Sequence, residues 1–287
     1  MLDTMTRRSF LGTCATVSTA TGVRALAADD QQTSRAGANI IDCHVHLKHG
    51  NAARTEWSPE SIIGLMDQVG IGRSVVFAMS TTTVRSIEMA KAAAEKYPRR
   101  LIPFVYALPS YERPVLKDIE TAIVKHGFRG IKIHAGECRL AEYVIDPVLR
   151  LAGLFPVPCL VDVVGNASVA RRLAETFPHT PFWLAHMGRY NTTDPSLVEQ
   201  FIRVAEQHEN VSLDLSAVVL VDKLQEAVSR LGAKRLVWGT DGPYKNPTIV
   251  GYARTELDKI RKLRISDADR DLILGGNVAR ALSLPAL

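Results

Sequence analysis

The stretch NIIDCHVHL, residues 39–47, decides how the rest of the chain is read. Ile40, Ile41, Val45 and Leu47 make an apolar run of the kind that becomes a strand buried on both faces, as in parallel sheets. The run ends in His44 and His46. Residues two apart on a strand share a face, so both imidazoles are expected to point the same way. Side by side in a buried strand they need hydrogen-bond partners, or a shared cation that both can reach at Zn–N distances of ~2.0–2.1 Å.

Outward from this stretch the same kind of run recurs. RSVVFA (73–78), IPFVYAL (102–108), FRGIKIH (128–134), CLVDVV (159–164), FWLAHMG (182–188), VSLDLS (211–216) and RLVWGTDGP (235–243) bring the count to eight. Helical patterns separate them. SPESIIGLMDQVG offers Ser58 as N-cap with Pro59 at the first helical position. VRSIEMAKAAAEKY stops before Pro98, and RPVLKDIETAIVKHG ends at Gly127. Eight β–α alternations imply a parallel sheet, since each return to the same edge needs a crossover. Eight strands can close, so the expected fold is a single-domain α/β protein, a (β/α)₈ TIM barrel over residues 40–287. An open doubly wound sheet is the alternative, but no Gly-rich phosphate loop follows the first strand.

In such a barrel the working side chains sit at the C-terminal strand ends. Polar residues collect there: His44 and His46, Lys132 and His134, Asp162, His186, Asp214 with Ser216, and Asp241. Helices cover the outer strand faces, so these residues are expected to point inward. Arg139 and Arg189 fall in the following loops, near the mouth. His49, His126, His179 and His208 fall in loops or helix ends and are expected at the surface.

IIDCHVHL, FRGIKIH, FPHTPFWLAHMG, RLVWGTDGP and the tail ILGGNVARAL together resemble the amidohydrolase-related family of metal-dependent barrel enzymes, in order from about Ile40 to Leu284. The resemblance implies that His44, His46 and Asp241 bind a divalent metal, probed first as Zn²⁺ with Mn²⁺ as the alternative. It implies that His186 activates or orients the attacking water, with Asp241 also moving a proton. One position departs from the family. A histidine is usual on the fifth strand, where PCLVDVVG carries Asp162. Asp162 either replaces it as an oxygen ligand or pairs with Lys132 on the neighbouring strand. If it is not a ligand, His134 is the remaining nitrogen donor. Lys132, His134 and Arg189 are the substrate-binding candidates. In binuclear relatives a carbamylated fourth-strand lysine bridges two metals, but the missing fifth-strand histidine favours one.

The N-terminus reads differently. TRRSFLG (residues 6–12) precedes a weakly apolar Ala/Thr/Ser-rich segment and then ALAA, which resembles a twin-arginine export signal over residues 1–27, followed by a linker over 28–39. The expected location is therefore the periplasm. The whole chain carries a formal charge of +5, and the leader's three arginines and one aspartate leave +3 for the rest. Lys and Arg are scattered, which argues against nucleic acid. The apolar leader is shorter than the ~20 residues needed to span a bilayer, so no stable membrane insertion is expected. Cys43, Cys138 and Cys159 would remain after removal of Cys14, an odd number without metal-binding spacing, so mostly buried free thiols are expected. A small-molecule substrate, carboxylates included, is expected, and a homo-oligomer is compatible with all of this.

The leading function is hydrolysis of an amide, ester or lactone by metal-activated water. Metal-dependent non-oxidative decarboxylation is the runner-up. A metal-independent lactonase and a non-catalytic binding protein on a decayed barrel rank below both.

Overall fold

A computed structural model describes residues 39–50 and 55–285. The leader, Cys14 and most of the linker lie outside them. The eight predicted runs all become strands: β1 (Ile41–Lys48), β2 (Arg73–Ala78), β3 (Leu101–Pro103) with β4 (Val105–Tyr106), β5 (Ile131–His134), β6 (Cys159–Asp162), β7 (Phe182–Leu184), β8 (Val211–Asp214) and β9 (Leu236–Val237). Every ladder is parallel, in the orders β1-β2-β3 and β4-β5-β6-β7-β8-β9.

The third run is two strands because of Pro103, which has no N–H to give to a ladder. There the pairing changes hands. Phe104 N–H bonds Val76 O at 3.0 Å, whereas Val105 N–H bonds Gly130 O at 2.9 Å. The other seam closes without a full ladder: Cys43 N–H reaches Trp238 O at 3.0 Å and His46 N–H reaches Gly242 O at 2.8 Å. Gly239 permits that approach, since a Cβ there would stand 2.9 Å from the His44 Cβ. The result is a closed barrel.

Helices α1 (Pro59–Val69), α2 (Thr83–Lys96), α3 (Leu116–His126), α4 (Glu142–Leu154), α5 (Ala167–Thr176), α6 (Pro195–Gln207), α7 (Val221–Leu231) and α8 (Ile249–Arg261) surround it. The Ser58 side chain accepts from Ser61 N–H, Pro59 opens α1, and Gly70 ends it in the left-handed region. None of the described helices is long and apolar enough to cross a membrane.

Inside the barrel, Phe77, Phe104, Tyr106, Leu160 and Trp183 fill the lower layers, with Phe104 and Trp183 rings 5.8 Å apart. Val278 and Leu282, from the last helical segment, join this cluster and plug the bottom. Mostly polar side chains, with Met79 among them, then line the upper layer at the C-terminal strand ends.

Strict alternation fails along β1. Ile41, Cys43, His44 and His46 all face the interior, a pattern that period two forbids. The ladder with β2 shows the cause: Asp42 pairs with Ser74 and Val45 with Val76, leaving one extra residue on β1 between them. This β-bulge shifts the face once, re-aiming both histidines onto the axis.

Candidate active site

The upper layer of the barrel encloses a cavity of about 350 Å³. His44, His46, Lys132, Asp162, His186 and Asp241 all line it, at most 4% exposed. All six face the interior at this end of the barrel. Asp42 holds the seam beneath them, accepting from Thr240 N–H (2.9 Å), Thr240 Oγ1 (2.7 Å) and His44 N–H (3.0 Å).

His44 is fixed by hydrogen bonds. Its Nδ1–H donates to Asp214 Oδ2 at 2.7 Å, and Ser216 Oγ donates to the same oxygen at 2.8 Å. Asp214 thus sets the tautomer, leaving the Nε2 lone pair facing the cavity. His46 is fixed by packing. Its ring stacks on His49 with centroids 4.5 Å apart and meets the Phe77 edge at 4.8 Å. His46 Nδ1 has no partner among the described residues.

Three potential metal ligands converge at the centre. Asp241 Oδ1 stands 3.0 Å from His44 Nε2 and 2.9 Å from His46 Nε2. Burial depresses the His44 pKa to about 3 and lowers that of His46 as well, so both rings are neutral. Burial alone would raise Asp241, but His44, His186 and His46 hold it well below the usual carboxylate range. Two neutral imidazoles and a carboxylate oxygen, groups of the kind that bind divalent metals, thus meet at one point. Ligands ~2.1 Å from one ion at ordinary bond angles are roughly 3.0–3.4 Å apart, which the spacing here approaches. These residues fit a divalent metal, and the three form a buried cluster able to hold one.

Asp162 belongs to a different group. Its Oδ1 accepts from Val164 N–H at 2.7 Å, and its Oδ2 faces His134 Nε2 at 3.3 Å and His186 Nε2 at 3.6 Å. No Lys132–Asp162 ion pair within 4.0 Å exists among the described residues, which corrects the paired alternative. Lys132 Nζ instead donates to His44 Nε2 at 3.2 Å. His134 is a cross-strand neighbour of Asp162 and lies half-exposed beside it rather than among the three converging ligands.

His186 and Asp241 do not lie on strands. β7 ends at Leu184, and His186 sits in a tight turn with φ of 60°. Asp241 has φ of 58° in the loop after β9. Side chains in that region are strained, and the strain gathers at working sites. Ser80, Val164 and Ala217 share it, each just past a strand end on the same face. His186 Nδ1 lies 3.0 Å from Ser216 O; a carbonyl only accepts, so Nδ1 carries the proton and Nε2 the lone pair.

Other expectations need correction. His49 is buried rather than at the surface, with its Nε2–H on Pro243 O at 2.7 Å. His208 is half-buried, while His126 and His179 are exposed as expected. Arg189 and Arg139 are exposed and do not line the cavity. Three polar lining residues went unnoticed in the sequence. Tyr244 OH donates to Asp241 Oδ2 at 3.1 Å. Tyr190 stands edge-on to His186 with centroids 5.6 Å apart. Glu137 accepts from Ser80 N–H at 3.0 Å and from the Ser80 and Tyr106 hydroxyls. Burial alone would raise the Glu137 pKa, but those donors hold it below the usual range. Tyr244 follows WGTDGP directly and was legible as its neighbour; Glu137 lies in a loop and gave no signal. Cys43, Cys138 and Cys159 are free, two of them buried.

A family model described as Amidohydrolase matches residues 41–284. No curated protein matches the chain. Among solved structures, an amidohydrolase from Burkholderia multivorans superposes with a TM-score of 0.66 at 16% identity, covering 86% of this chain and 99% of its own. A dihydroxybenzoic acid decarboxylase from Polaromonas, with bound manganese and 2-nitroresorcinol, gives 0.64 at 17%, covering 85% and 96%. A probable 2-pyrone-4,6-dicarboxylic acid hydrolase from Acinetobacter baumannii, with citric acid bound, gives 0.64 at 16%, covering 86% and 100%. At these identities the likeness establishes a shared barrel.

Proposed function

The chain belongs to the amidohydrolase family, and from that premise we propose that it is a metal-dependent hydrolase directing water onto an uncharged amide, ester or lactone carbonyl. His44, His46 and Asp241 would hold one divalent cation, Zn²⁺ or Mn²⁺. Such a cation polarises a carbonyl and makes water more acidic. The observation that carries the reading is His186. Ser216 O keeps its Nε2 free to take a proton, and Asp162 Oδ2 at 3.6 Å and Asp241 Oδ1 at 3.9 Å stabilise the imidazolium that results. His186 therefore accepts the proton of the attacking water and returns it to the leaving group. Tyr244 restrains the other oxygen of Asp241, leaving Oδ1 directed at the histidines.

Decarboxylation is the competing reading, favoured by Lys132, a buried cation at the cavity floor. Against it, no arginine lines the cavity among the described residues, while Glu137 puts a carboxylate on its wall. A carboxylate substrate would be repelled by that wall, whereas a hydroxyl-bearing carbonyl compound would donate to it. The test is a panel of esters, lactones and aryl carboxylates with the metal-loaded protein. Acid release without CO₂ is expected; CO₂ as the product overturns hydrolysis.

The same proposal places the mature chain, from about residue 28, in the periplasm on the strength of TRRSFLG. Replacing Arg7 and Arg8 with Lys should hold the protein in the cytoplasm, and unchanged periplasmic recovery would reject this.

A further inference from the structure

Arg73, the first residue of β2, lies at the end of the barrel opposite the histidines. It is only 7% exposed. Its level is four residues below Phe77, the partner of His46, or roughly 13 Å along the strand at ~3.3 Å per residue. Other partly buried arginines in this protein are well satisfied. Arg100 donates to Gly72 O, Asp67 and Ile71 O. Arg172 donates to Asp146 and Leu140 O, and Arg235 to Ala205 O, His208 O and Val211 O. Arg73 is more buried than these, yet its guanidinium has no hydrogen bond or ion pair among the described residues. The guanidinium nitrogens stay open to water, so among the described residues their donors are left free for a ligand.

That guanidinium faces a cavity of about 720 Å³, within the range that takes a small organic ligand. The walls are of two kinds. Leu101, Ile102 and Pro103 of β3, with Leu284 and Pro285, supply apolar surface. Lys91, Arg99 and Arg129 supply cations at the rim, against one carboxylate, Glu95, which Lys91 already meets at 3.7 Å. On the other side of Arg73 a smaller cavity carries Asp271, which has no ion pair with it within 4.0 Å. Cations near the ends of α2 and α3 are ordinary, because they complement the helix dipoles. An inward, unpartnered arginine on a strand is not accounted for in that way.

We propose that this basal cavity is a second binding site, taking a carboxylate carried on an apolar body, with Arg73 as the anchor. The planar guanidinium matches a carboxylate with two parallel N–H···O bonds, and the wall formed by β3 and the C-terminal segment covers the hydrocarbon. The site is separate from the metal cluster and does not depend on the reaction proposed above.

The experiment is calorimetric titration of the full-length protein at fixed ionic strength with octanoate, acetate and inorganic phosphate. Octanoate should bind with Kd below about 1 mM, and acetate and phosphate far more weakly. Arg73→Gln should weaken octanoate by about tenfold or more. Arg99→Gln and Arg129→Gln, both exposed and without risk to folding, should each weaken it by about two- to threefold. These keep the test alive if Arg73→Gln does not fold. His46→Ala should bind octanoate as the native protein does. No saturable binding, binding unchanged in the arginine variants, or binding lost in His46→Ala overturns the proposal. Phosphate binding as tightly as octanoate overturns its carboxylate-and-apolar character.

Discussion

Asp214→Asn removes one charge that acts on the site through His44, and the geometry fixes what should follow. Asp214 is fully buried and receives His44 Nδ1–H at 2.7 Å and Ser216 Oγ at 2.8 Å. Asparagine has one acceptor oxygen and an NH₂ group, so it either accepts more weakly from His44 or presents a donor to it. The second arrangement moves the ring proton to Nε2 and blanks the lone pair that faces Asp241. A hydrogen bond to a charged group contributes about 1.5–3 kcal/mol. Loss of such an orienting partner typically lowers metal affinity by about 10–100-fold, an energy of similar size. The assay is a competitive metal titration of native protein and Asp214→Asn against a chromophoric chelator, with melting temperature measured alongside. Affinity should fall by that factor while melting temperature drops by only a few degrees, since Ser216 N–H still has an oxygen to bond. Unchanged affinity would refute the claim that His44 is a ligand held by Asp214.

Three further variants probe the site and its frame. Asp162→Asn should keep metal bound and lower turnover by about a hundredfold, because the imidazolium of His186 loses its nearer carboxylate; metal loss at unchanged melting temperature would return Asp162 to the ligand set. Glu137→Gln should raise KM for hydroxylated substrates by about tenfold with kcat little changed, as expected of a wall that binds rather than reacts; equal loss in kcat would contradict this. Gly130→Ala puts a Cβ 2.3 Å from the Phe104 ring and should destabilise by about 1–3 kcal/mol in thermal or urea unfolding, with metal affinity unaffected.

Barrel architecture was legible because apolar runs and helical periods alternate eight times, and the sites were legible because buried strands rarely end in His, Asp or Lys without a reason. What the sequence hid was local geometry. Nothing in NIIDCHVHL announces the bulge between Asp42 and Val45, which lets the adjacent Cys43 and His44 both face the interior. Pro103 was visible, but its consequence, a strand that changes partners, depends on the register of three neighbours. His49 looked like a loop residue and is one, yet the Pro243 carbonyl and the His46 and Tyr244 rings draw it inward. Whether Asp162 is a ligand or pairs with Lys132 turned on distances, and its nearest side-chain nitrogens belong to His134 and His186.

The central claim is that His44, His46 and Asp241 form a metal centre on which activity depends. Elemental analysis of the purified protein, paired with turnover before and after chelation, tests it most directly. The account predicts about one divalent ion per chain in the native protein, almost none in His46→Ala at a near-native melting temperature, and loss of turnover on chelation that returns with Zn²⁺ or Mn²⁺. Full turnover in a preparation shown to be metal-free would contradict it.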